Sequence, residues 1–394
     1  MLKKCSLIII VIIMILIAFI YRDLNKNKIE FQHIKVSVRK NASNYAEVQN
    51  EIEFVDALNN DKIKIINVLN DLDLGFNYLN SMGVESKYIL KHKSPLTHPI
   101  LIEKGVSNIM LDNRNGLIIT SSNGSKILHA NIRIINSNNV KIENIEMDEL
   151  WEWDEKTKAE YDRNDWDNIT IKNSNNVVIN HCEFNKSYDG IIDIKNSNNV
   201  MIEYCIVNKV NEKFFDAQFQ ELEKNIDLYP MYKYLRKNME LSVESIKNLS
   251  RGQTKLFLIG PVDYGSTNKN IIIHDSIFND VKSRVPLARN SSVYVHDIIA
   301  SGYKYDIRNI LTEEQYKLIR NKYHAITIHT TLGVNSIQRS YVVIENSIYD
   351  NFDYPYINER DKKYKNLGRI VIRNHISPEL LKEKLNKSSG VRRK

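Results

Sequence analysis

The sequence lacks the short motifs by which several large enzyme classes are identified. It has no G-x-S-x-G, no H-E-x-x-H, no Cys/His metal spacing, no P-loop and no dinucleotide-binding fingerprint. Its aromatic and basic residues form no recognisable patch, so nothing supports a nucleic-acid-binding module. The formal net charge of +7 permits a polyanionic partner but does not select one.

Cysteine is scarce, with three residues in a chain of 394. Cys5 precedes the N-terminal hydrophobic run, so it is not a lipidation site that follows a signal peptide. Cys182 and Cys205 are 23 residues apart. Two arrangements fit them, stacked free thiols in a core or a disulfide in an exported protein. We favour free thiols, because cysteine is often a small buried hydrophobic residue.

A hydrophobic run lies at the N-terminus, where residues 7–21 follow Lys3 and Lys4. As a helix, this run would be roughly 22 Å long, which is shorter than the ~30 Å hydrocarbon core of a bilayer. It predicts a signal peptide or an uncleaved membrane anchor at residues 1–21, followed by a linker at 22–32. Both alternatives predict an exported protein, either secreted or anchored at the cell surface.

The rest of the chain carries a short internal repeat. Asn-Ser-Asn-Asn-Val occurs at 173–177 and again at 196–200, which gives a period of 23 residues. This period is too short for a helix pair and fits one coil of a parallel β-helix. Strand-like segments recur to near residue 349, and the asparagines that precede them are expected to stack along the coil axis. We predict an all-β fold, a parallel β-helix over residues 33–376.

Segments without this pattern mark the ends and the insertions. Residues 51–60 predict a short amphipathic helix that caps the first coil, and residues 377–394 predict a helical and basic tail. Long insertions in solenoids often lie on the binding face. Three insertions interrupt the repeat, at 148–164, 214–255 and 301–323.

Four aspartates lie around the first copy of the repeat. Asp165 and Asp167 are two residues apart, so their side chains point the same way in a strand. Asp189 and Asp193 are four apart, on either side of Gly190. Equivalent positions on successive coils are about 4.8 Å apart, so the two pairs can converge on one site. Four carboxylates without His or Cys neighbours favour Ca²⁺. The alternative is a scatter of surface aspartates, which is commoner for either pair alone.

Basic residues form a second candidate set. Arg284 and Arg289 flank Pro286, an arrangement that is also expected of an ordinary surface turn. Lys213 follows the second copy of the repeat. Together with the acidic cluster, these three cations form a candidate anion-binding wall opposite a bound cation.

In these motifs, from about residue 35 to 350, the chain resembles the parallel β-helix pectate lyases of polysaccharide lyase family 1. Residues 165–184 are similar to the family's aspartate-rich strand and its Val-Trp-Ile-Asp-His segment, with two of those residues replaced. Residues 189–195 resemble its Asp-Gly-x-x-Asp-Ile-Lys, and residues 284–289 its Arg-x-Pro-x-x-Arg. Lys213 falls at the spacing of the family's lysine.

The chain also departs from the family pattern. The family's lysine usually lies in His-Asp-Lys-Thr, with Leu-Ile-Gly-His close behind. Here the long insertion separates Lys213 from Leu258-Ile259-Gly260. Asn290-Ser291 replaces the usual Phe-Gly after Arg289. Because the insertion is predicted to lie beside the cleft, substrate length, methylation tolerance or sugar identity can differ from those of the family.

The resemblance implies a right-handed, single-stranded β-helix that cleaves α-1,4-linked polygalacturonate by β-elimination. It implies that the four aspartates hold Ca²⁺ and that Arg284 is the catalytic base. Lys213 and Arg289 would bind the substrate carboxylate and assist catalysis. Positive charge at that carboxylate would stabilise the carbanion-like charge that forms when the C5 proton leaves.

Two other functions are kept as alternatives. One is a lyase for another uronic-acid polymer, and the other is a non-catalytic cell-surface β-helix that binds acidic glycan. The candidate base argues against a pure binding protein, which has no need of a base. We predict a monomer whose partner is the acidic polysaccharide, with no nucleic-acid partner and with N-terminal membrane insertion as one of the two alternatives for residues 1–21.

Overall fold

The computed structural model describes residues 31–93, 95–155, 165–208, 210–252, 254–261, 267–303, 311–322, 331–360, 367–374 and 377–393. The predicted export segment at 1–21 lies outside these residues, as does the part of the first insertion at 156–164. Within the described part of the chain, no helix is both long and apolar enough to cross a bilayer.

Parallel strands are the main secondary-structure element of the fold. In successive strands, Ile132 pairs with Ile169, Ile169 with Ile192, and Ile192 with Phe257. All four side chains are buried, so each coil places an apolar residue directly on the one below it. This register follows from the alternation of apolar residues along each strand, because a slip of one residue would turn them outward. The predicted all-β parallel β-helix is confirmed.

The described strands form two sheets. In the nine-stranded sheet every pair is parallel except β4 with β5. This sheet contains β4 (Ile89–Lys91), β5 (Ser107–Asp112), β8 (Ala130–Ile135), β11 (Ile169–Lys172), β14 (Gly190–Lys195), β17 (Lys255–Ile259), β19 (Leu287–Arg289), β21 (Leu332–Ile337) and β24 (Tyr354–Glu359). The sixteen-stranded sheet contains β1 (Tyr45–Val48), β2 (Ile65–Val68), β3 (Leu72–Asp73), β6 (Asn115–Ser121), β7 (Lys126–Leu128), β9 (Asn138–Glu143), β10 (Glu146–Asp148), β12 (Asn175–Asn180), β13 (Glu183–Phe184), β15 (Asn198–Glu203), β16 (Ile206–Val207), β18 (Asn268–Val281), β20 (Ser291–Gly302), β22 (Tyr341–Glu345), β23 (Ile348–Asp350) and β25 (Arg369–Arg373).

Asparagines stack along the coil axis at one bend of the coil. Asn139, Asn176, Asn199 and Asn270 have φ values of 52° to 56°, a left-handed conformation that asparagine tolerates. The Asn176 amide donates to Asn139 Oδ1 at 3.2 Å, and the Asn270 amide donates to Asn199 Oδ1 at 2.8 Å. The predicted stacking of asparagines is therefore confirmed.

The two cysteines of the repeat lie inside the coil. Glu183 pairs with Ile206, which places the preceding residues, Cys182 and Cys205, in neighbouring coils. Both thiols are buried and free, as predicted. Burial raises the pKa of the Cys205 thiol well above its ordinary value, so it stays protonated.

Helices occupy the ends of the solenoid and its insertions. The side chain of Asn50 caps the first helix by accepting a hydrogen bond from Glu53 N at 3.0 Å, and this helix packs on the core as the predicted cap. A 3₁₀ turn at Ile226–Leu228 and a π turn at Tyr234–Asn238 lie within the second insertion. The described helices are α1 (Glu51–Asn59), α2 (Phe76–Ser81), α3 (Pro99–Lys104), α4 (Glu212–Lys224), α5 (Pro230–Lys233), α6 (Val243–Arg251), α7 (Glu313–Lys322) and α8 (Pro378–Ser388).

The second insertion and residues 148–155 build a second hydrophobic core. The ring centroids of Trp151 and Phe215 are 4.9 Å apart. Gln218 joins the two segments, because it accepts from Trp153 N and donates to Trp151 O, both at 2.9 Å. This core also contains Trp166 and Tyr188, which flank the candidate aspartates in the sequence.

Residues 377–393 form a C-terminal strap that crosses several coils. Ser389 Oγ donates to Asp275 O at 2.7 Å, and Gly390 N donates to Tyr204 O at 2.8 Å. Val391 N then donates to Glu183 Oε1 at 3.1 Å. Each contact lies one coil closer to the N-terminal end than the one before it, so the strap ties successive coils together.

Candidate active site

Two neighbouring coils bring three of the predicted aspartates together. Thr170 of β11 pairs with Asp193 of β14, and Asp189 N donates to Trp166 O at 3.1 Å. The segment before β11 therefore runs beside the segment before β14. As a result, carboxylate oxygens of Asp165, Asp167 and Asp193 all lie within 4.8 Å of one another. Asp167 and Asp193 are buried, whereas Asp165 is exposed.

Gly190 leaves the space that this arrangement needs. Its backbone N–H donates to Asp167 Oδ1 at 3.0 Å. A Cβ atom at residue 190 would lie 2.8 Å from the same oxygen, closer than side chains allow. Glycine thus lets the backbone approach the carboxylate closely, and a larger residue would displace the Asp167 carboxylate.

The ionised forms of the two buried aspartates, Asp167 and Asp193, are destabilised by their surroundings. Burial raises the pKa of Asp167 well above its ordinary value, and the negative charges of Asp193, Asp189 and Asp165 raise it further. Burial also raises the pKa of Asp193, although Lys195, with its Nζ 2.9 Å from Asp193 Oδ2, opposes this. The other oxygen of Asp193, Oδ1, has no hydrogen-bond partner among the described residues. An oxygen-only donor set with one unsatisfied oxygen and mutual repulsion fits a bound Ca²⁺.

Asp189 lies beside this cluster and is paired with cations. Its Oδ1 contacts Lys255 Nζ, and its Oδ2 lies 3.9 Å from Arg284 Nη1. The Asp189 side chain is 8% exposed and that of Lys255 is 10% exposed, so the pair is shielded from water. Asp189 therefore separates the acidic part of the site from a basic part.

The two predicted arginines lie on the following coils. Phe257 N donates to Arg284 O at 2.8 Å, which fixes Arg284 next to β17. Its Nη1 has no hydrogen-bond partner in the described part of the chain. Arg289 ends β19, where Leu258 pairs with Leu287 and Ile259 with buried Ala288. By strand alternation, Arg289 thus shares the outward face of the sheet with Asp193, which pairs with Leu258.

Lys213, the predicted catalytic lysine, is placed differently. It is exposed in the first turn of α4 and pairs with none of the described residues. Lys255 instead is the lysine in contact with Asp189. Its signal in the sequence is Leu258-Ile259-Gly260, which begins three residues after it. The sequence predicts an insertion at 214–255, directly after Lys213, whereas strand β17 already begins at Lys255.

Two further lysines of the basic part were not predicted from the sequence. Lys186 is buried, and its Nζ has no hydrogen-bond partner among the described residues. Burial lowers the pKa of Lys186 to about 7, with a further contribution from the charge of Lys255. Burial likewise lowers the pKa of Lys282, and the charges of Lys255 and Arg284 add to the effect. A bound anion would relieve the desolvation and the mutual repulsion of these lysines and would favour their charged forms.

Comparison with known proteins assigns the family. No protein-family model matches the chain. Pectate lyase B from Paenibacillus amylolyticus is 38% identical over 333 residues, which are 82% of this chain and 84% of the relative. The solved structure of the pectate lyase pelN from Paenibacillus sp. 0602 matches with a TM-score of 0.77 and 34% identity, covering 86% of this chain and 79% of that one. A Bacillus sp. N165 pectate lyase in complex with trigalacturonate, at 14% identity and a TM-score of 0.50, covers 89% of this chain and 94% of its own and shares the fold. The chain belongs to the pectate lyase family.

Proposed function

We propose that this chain is a Ca²⁺-dependent pectate lyase that cleaves α-1,4-linked polygalacturonate by β-elimination and releases unsaturated oligogalacturonides. One observation carries the proposal. A cluster of three carboxylates, two of them buried, lies beside Asp189, which in turn contacts Lys255 and approaches Arg284. A carboxylate site for a cation, next to a group of basic side chains, suits a substrate whose reacting sugar carries a carboxylate.

The acidic part of the site would hold the cofactor. Asp165, Asp167 and Asp193 would bind Ca²⁺, with Asp189 at its edge, and the bound ion would supply positive charge near the uronate carboxylate. The chain's own contribution is to hold these oxygens at fixed positions before substrate arrives. Gly190 does this through its hydrogen bond to Asp167.

The basic part of the site would carry out the proton transfer. Arg284 would take the C5 proton, since its Nη1 is not used in a hydrogen bond among the described residues. The electron pair of that C–H bond would form the C4–C5 double bond as the C4–O bond breaks, and the leaving oxygen would take a proton from solvent water.

Lys255 and Arg289 would bind the substrate carboxylate. Their positive charge would stabilise the carbanion-like transition state, in which negative charge spreads from C5 to that carboxylate. In this proposal Lys255 takes the role that the sequence assigned to Lys213, because Lys255 contacts Asp189 whereas Lys213 is exposed on α4. Residues 1–21 would direct export, which brings the enzyme to its extracellular polysaccharide.

The test is the formation of the conjugated product. Full-length protein is mixed with polygalacturonate, pectin or alginate, and absorbance is followed at about 235 nm, where unsaturated uronides absorb. We expect a rise on polygalacturonate that requires Ca²⁺, stops with chelator and is lost in Arg284→Lys. A rise only on alginate would instead show a lyase for another uronic-acid polymer. Ca²⁺-dependent binding without any rise would show a glycan-binding protein and would refute the proposed reaction.

A further inference from the structure

A second group of metal-type ligands lies outside the candidate active site. His33, Glu203 and His274 bring one ligand atom each to within 4.8 Å of one another. His274 Nε2 is 3.3 Å from Glu203 Oε2, and His33 Nε2 is 3.8 Å from the same oxygen. Zinc–ligand bonds of about 2.0–2.1 Å place neighbouring ligands of a tetrahedral site about 3.3 Å apart. Small side-chain adjustments would therefore bring the three ligand atoms to bonding distance of one ion.

The residues that hydrogen-bond to these ligands are arranged as they are around protein-bound zinc. His274 directs its other ring nitrogen, Nδ1, at Asp275 Oδ2, at a distance of 2.7 Å. Glu203 accepts a hydrogen bond from Asn180 through its other oxygen, Oε1, at 2.6 Å. A carboxylate behind a histidine ligand, and a hydrogen bond behind a carboxylate ligand, fix the orientation of both side chains. Nε2 of His274 and Oε2 of Glu203 are thereby left to face each other and His33.

We propose that His33, Glu203 and His274 form a binding site for a divalent transition-metal ion of the Zn²⁺ type. Two imidazoles and one carboxylate favour Zn²⁺ over Ca²⁺, which prefers oxygen ligands throughout. The side chain of His33 is 59% exposed, whereas those of Glu203 and His274 are 11% and 7% exposed. The ion would thus sit at the surface, held by three protein ligands, with its fourth position open to water.

The site would join two parts of the chain that are far apart in sequence. Glu203 ends β15 and His274 lies in β18, on neighbouring coils that pair residue by residue at this point. His33 belongs to the segment before β1, which lies outside both sheets. Zn²⁺ would therefore fasten this N-terminal segment to the side of the solenoid. The alternative is a metal-free ion pair network around a protonated His274, and it makes opposite predictions.

Zinc titration of the full-length protein tests the proposal. The protein is stripped with chelator, supplied with excess Ca²⁺ to fill the acidic cluster, and titrated with Zn²⁺ by calorimetry, with the Co²⁺ absorption spectrum as a second readout. We expect one equivalent of Zn²⁺ and a tetrahedral Co²⁺ spectrum. His33→Ala, which changes an exposed side chain, should weaken Zn²⁺ binding at least about tenfold, and Asp275→Asn should weaken it about 10- to 100-fold.

His296→Ala is the matched control. This ring stacks on His274 at 4.7 Å and 5°, so its loss perturbs the same surface without removing a ligand. It should leave Zn²⁺ affinity unchanged. No stoichiometric Zn²⁺ binding in the wild type, or equal binding in His33→Ala, would overturn the proposal. The same holds if Asp193→Asn abolishes Zn²⁺ binding, since the ion would then lie in the acidic cluster. Lyase activity is measured separately, and its absence would not affect the zinc result.

Discussion

Lys255→Ala is the change that most sharply tests the proposed active site. Removing the ammonium group would leave Asp189, whose side chain is 8% exposed, with its closest cation missing. Breaking a buried ion pair typically costs about 3–5 kcal/mol. Loss of one group that stabilises transition-state charge typically lowers kcat by about 10²–10³. We therefore expect kcat/KM on polygalacturonate to fall at least about 100-fold, with partial recovery in Lys255→Arg, which keeps the charge.

Lys213→Ala provides the comparison within the same chain. Since Lys213 is exposed on α4 and pairs with none of the described residues, kcat/KM should stay at the wild-type value. Initial rates are read from product absorbance at saturating Ca²⁺, and circular dichroism of each variant checks that the protein is folded. If Lys213→Ala abolishes activity while a folded Lys255→Ala keeps it, Lys255 is not the lysine that binds the substrate carboxylate, and its assignment from the contact with Asp189 is refuted.

Three further predictions concern a glycine of the site, a buried histidine and the C-terminal strap. Gly190→Ala would place a methyl group 2.8 Å from Asp167 Oδ1, so half-maximal activity should require more Ca²⁺; an unchanged Ca²⁺ titration would contradict this. Although burial opposes the charged form, the hydrogen bond to Asp73 and the ion pair with Glu149 raise the pKa of His129 from 6.5 to about 9. The contribution of His129 to the stability of the fold is full below pH 6.5 and is lost as pH rises through 9. Over this window, the unfolding free energy of the wild type, measured with urea, should therefore fall by roughly 3 kcal/mol more than that of His129→Gln. Deletion of residues 377–394 removes two fully buried leucines of α8 and should lower the unfolding free energy by about 3–6 kcal/mol, whereas an equal urea midpoint would show that the strap contributes no stability.

The sequence predicts the fold well because the fold is local and repetitive. Each coil buries its own alternating residues on the next, so the 23-residue spacing of Asn-Ser-Asn-Asn-Val already determines the register. The same spacing places Cys182 and Cys205 in neighbouring coils and pairs Asn175 with Asn198. No long-range information is needed for these features, since every coil contacts mainly its neighbours.

The candidate site is predicted less completely, because its geometry depends on where an insertion begins and ends. Asp165, Asp167 and Asp193 lie on neighbouring coils with no insertion between them, and they converge as their spacing predicts. The proposed lysine, Lys255, lies beyond a helical insertion whose length the repeat does not determine, so counting forward from the repeat leads to Lys213. Counting back from Leu258-Ile259-Gly260 leads to Lys255, because the regular repeat resumes with strand β17. Lys186 and Lys282 have no local signal in the sequence, and their proximity to Lys255 becomes apparent only in the folded structure.

The insertion affects the candidate site through packing as well as through chain length. Trp166, which lies between two of the aspartates, is fully buried in the second hydrophobic core and donates from its indole Nε1 to His92 Nδ1 at 2.9 Å. Burial lowers the pKa of His92 to about 4, so that ring stays neutral and can accept this hydrogen bond. Tyr188, next to Asp189, donates to Asp154 in the same core. Residues adjacent to the aspartates are thus held in an apolar region that α4 helps to form. A poorly solvated setting raises the cost of leaving these carboxylates without a cation, so changes that loosen this core should weaken Ca²⁺ binding even where they touch no proposed ligand.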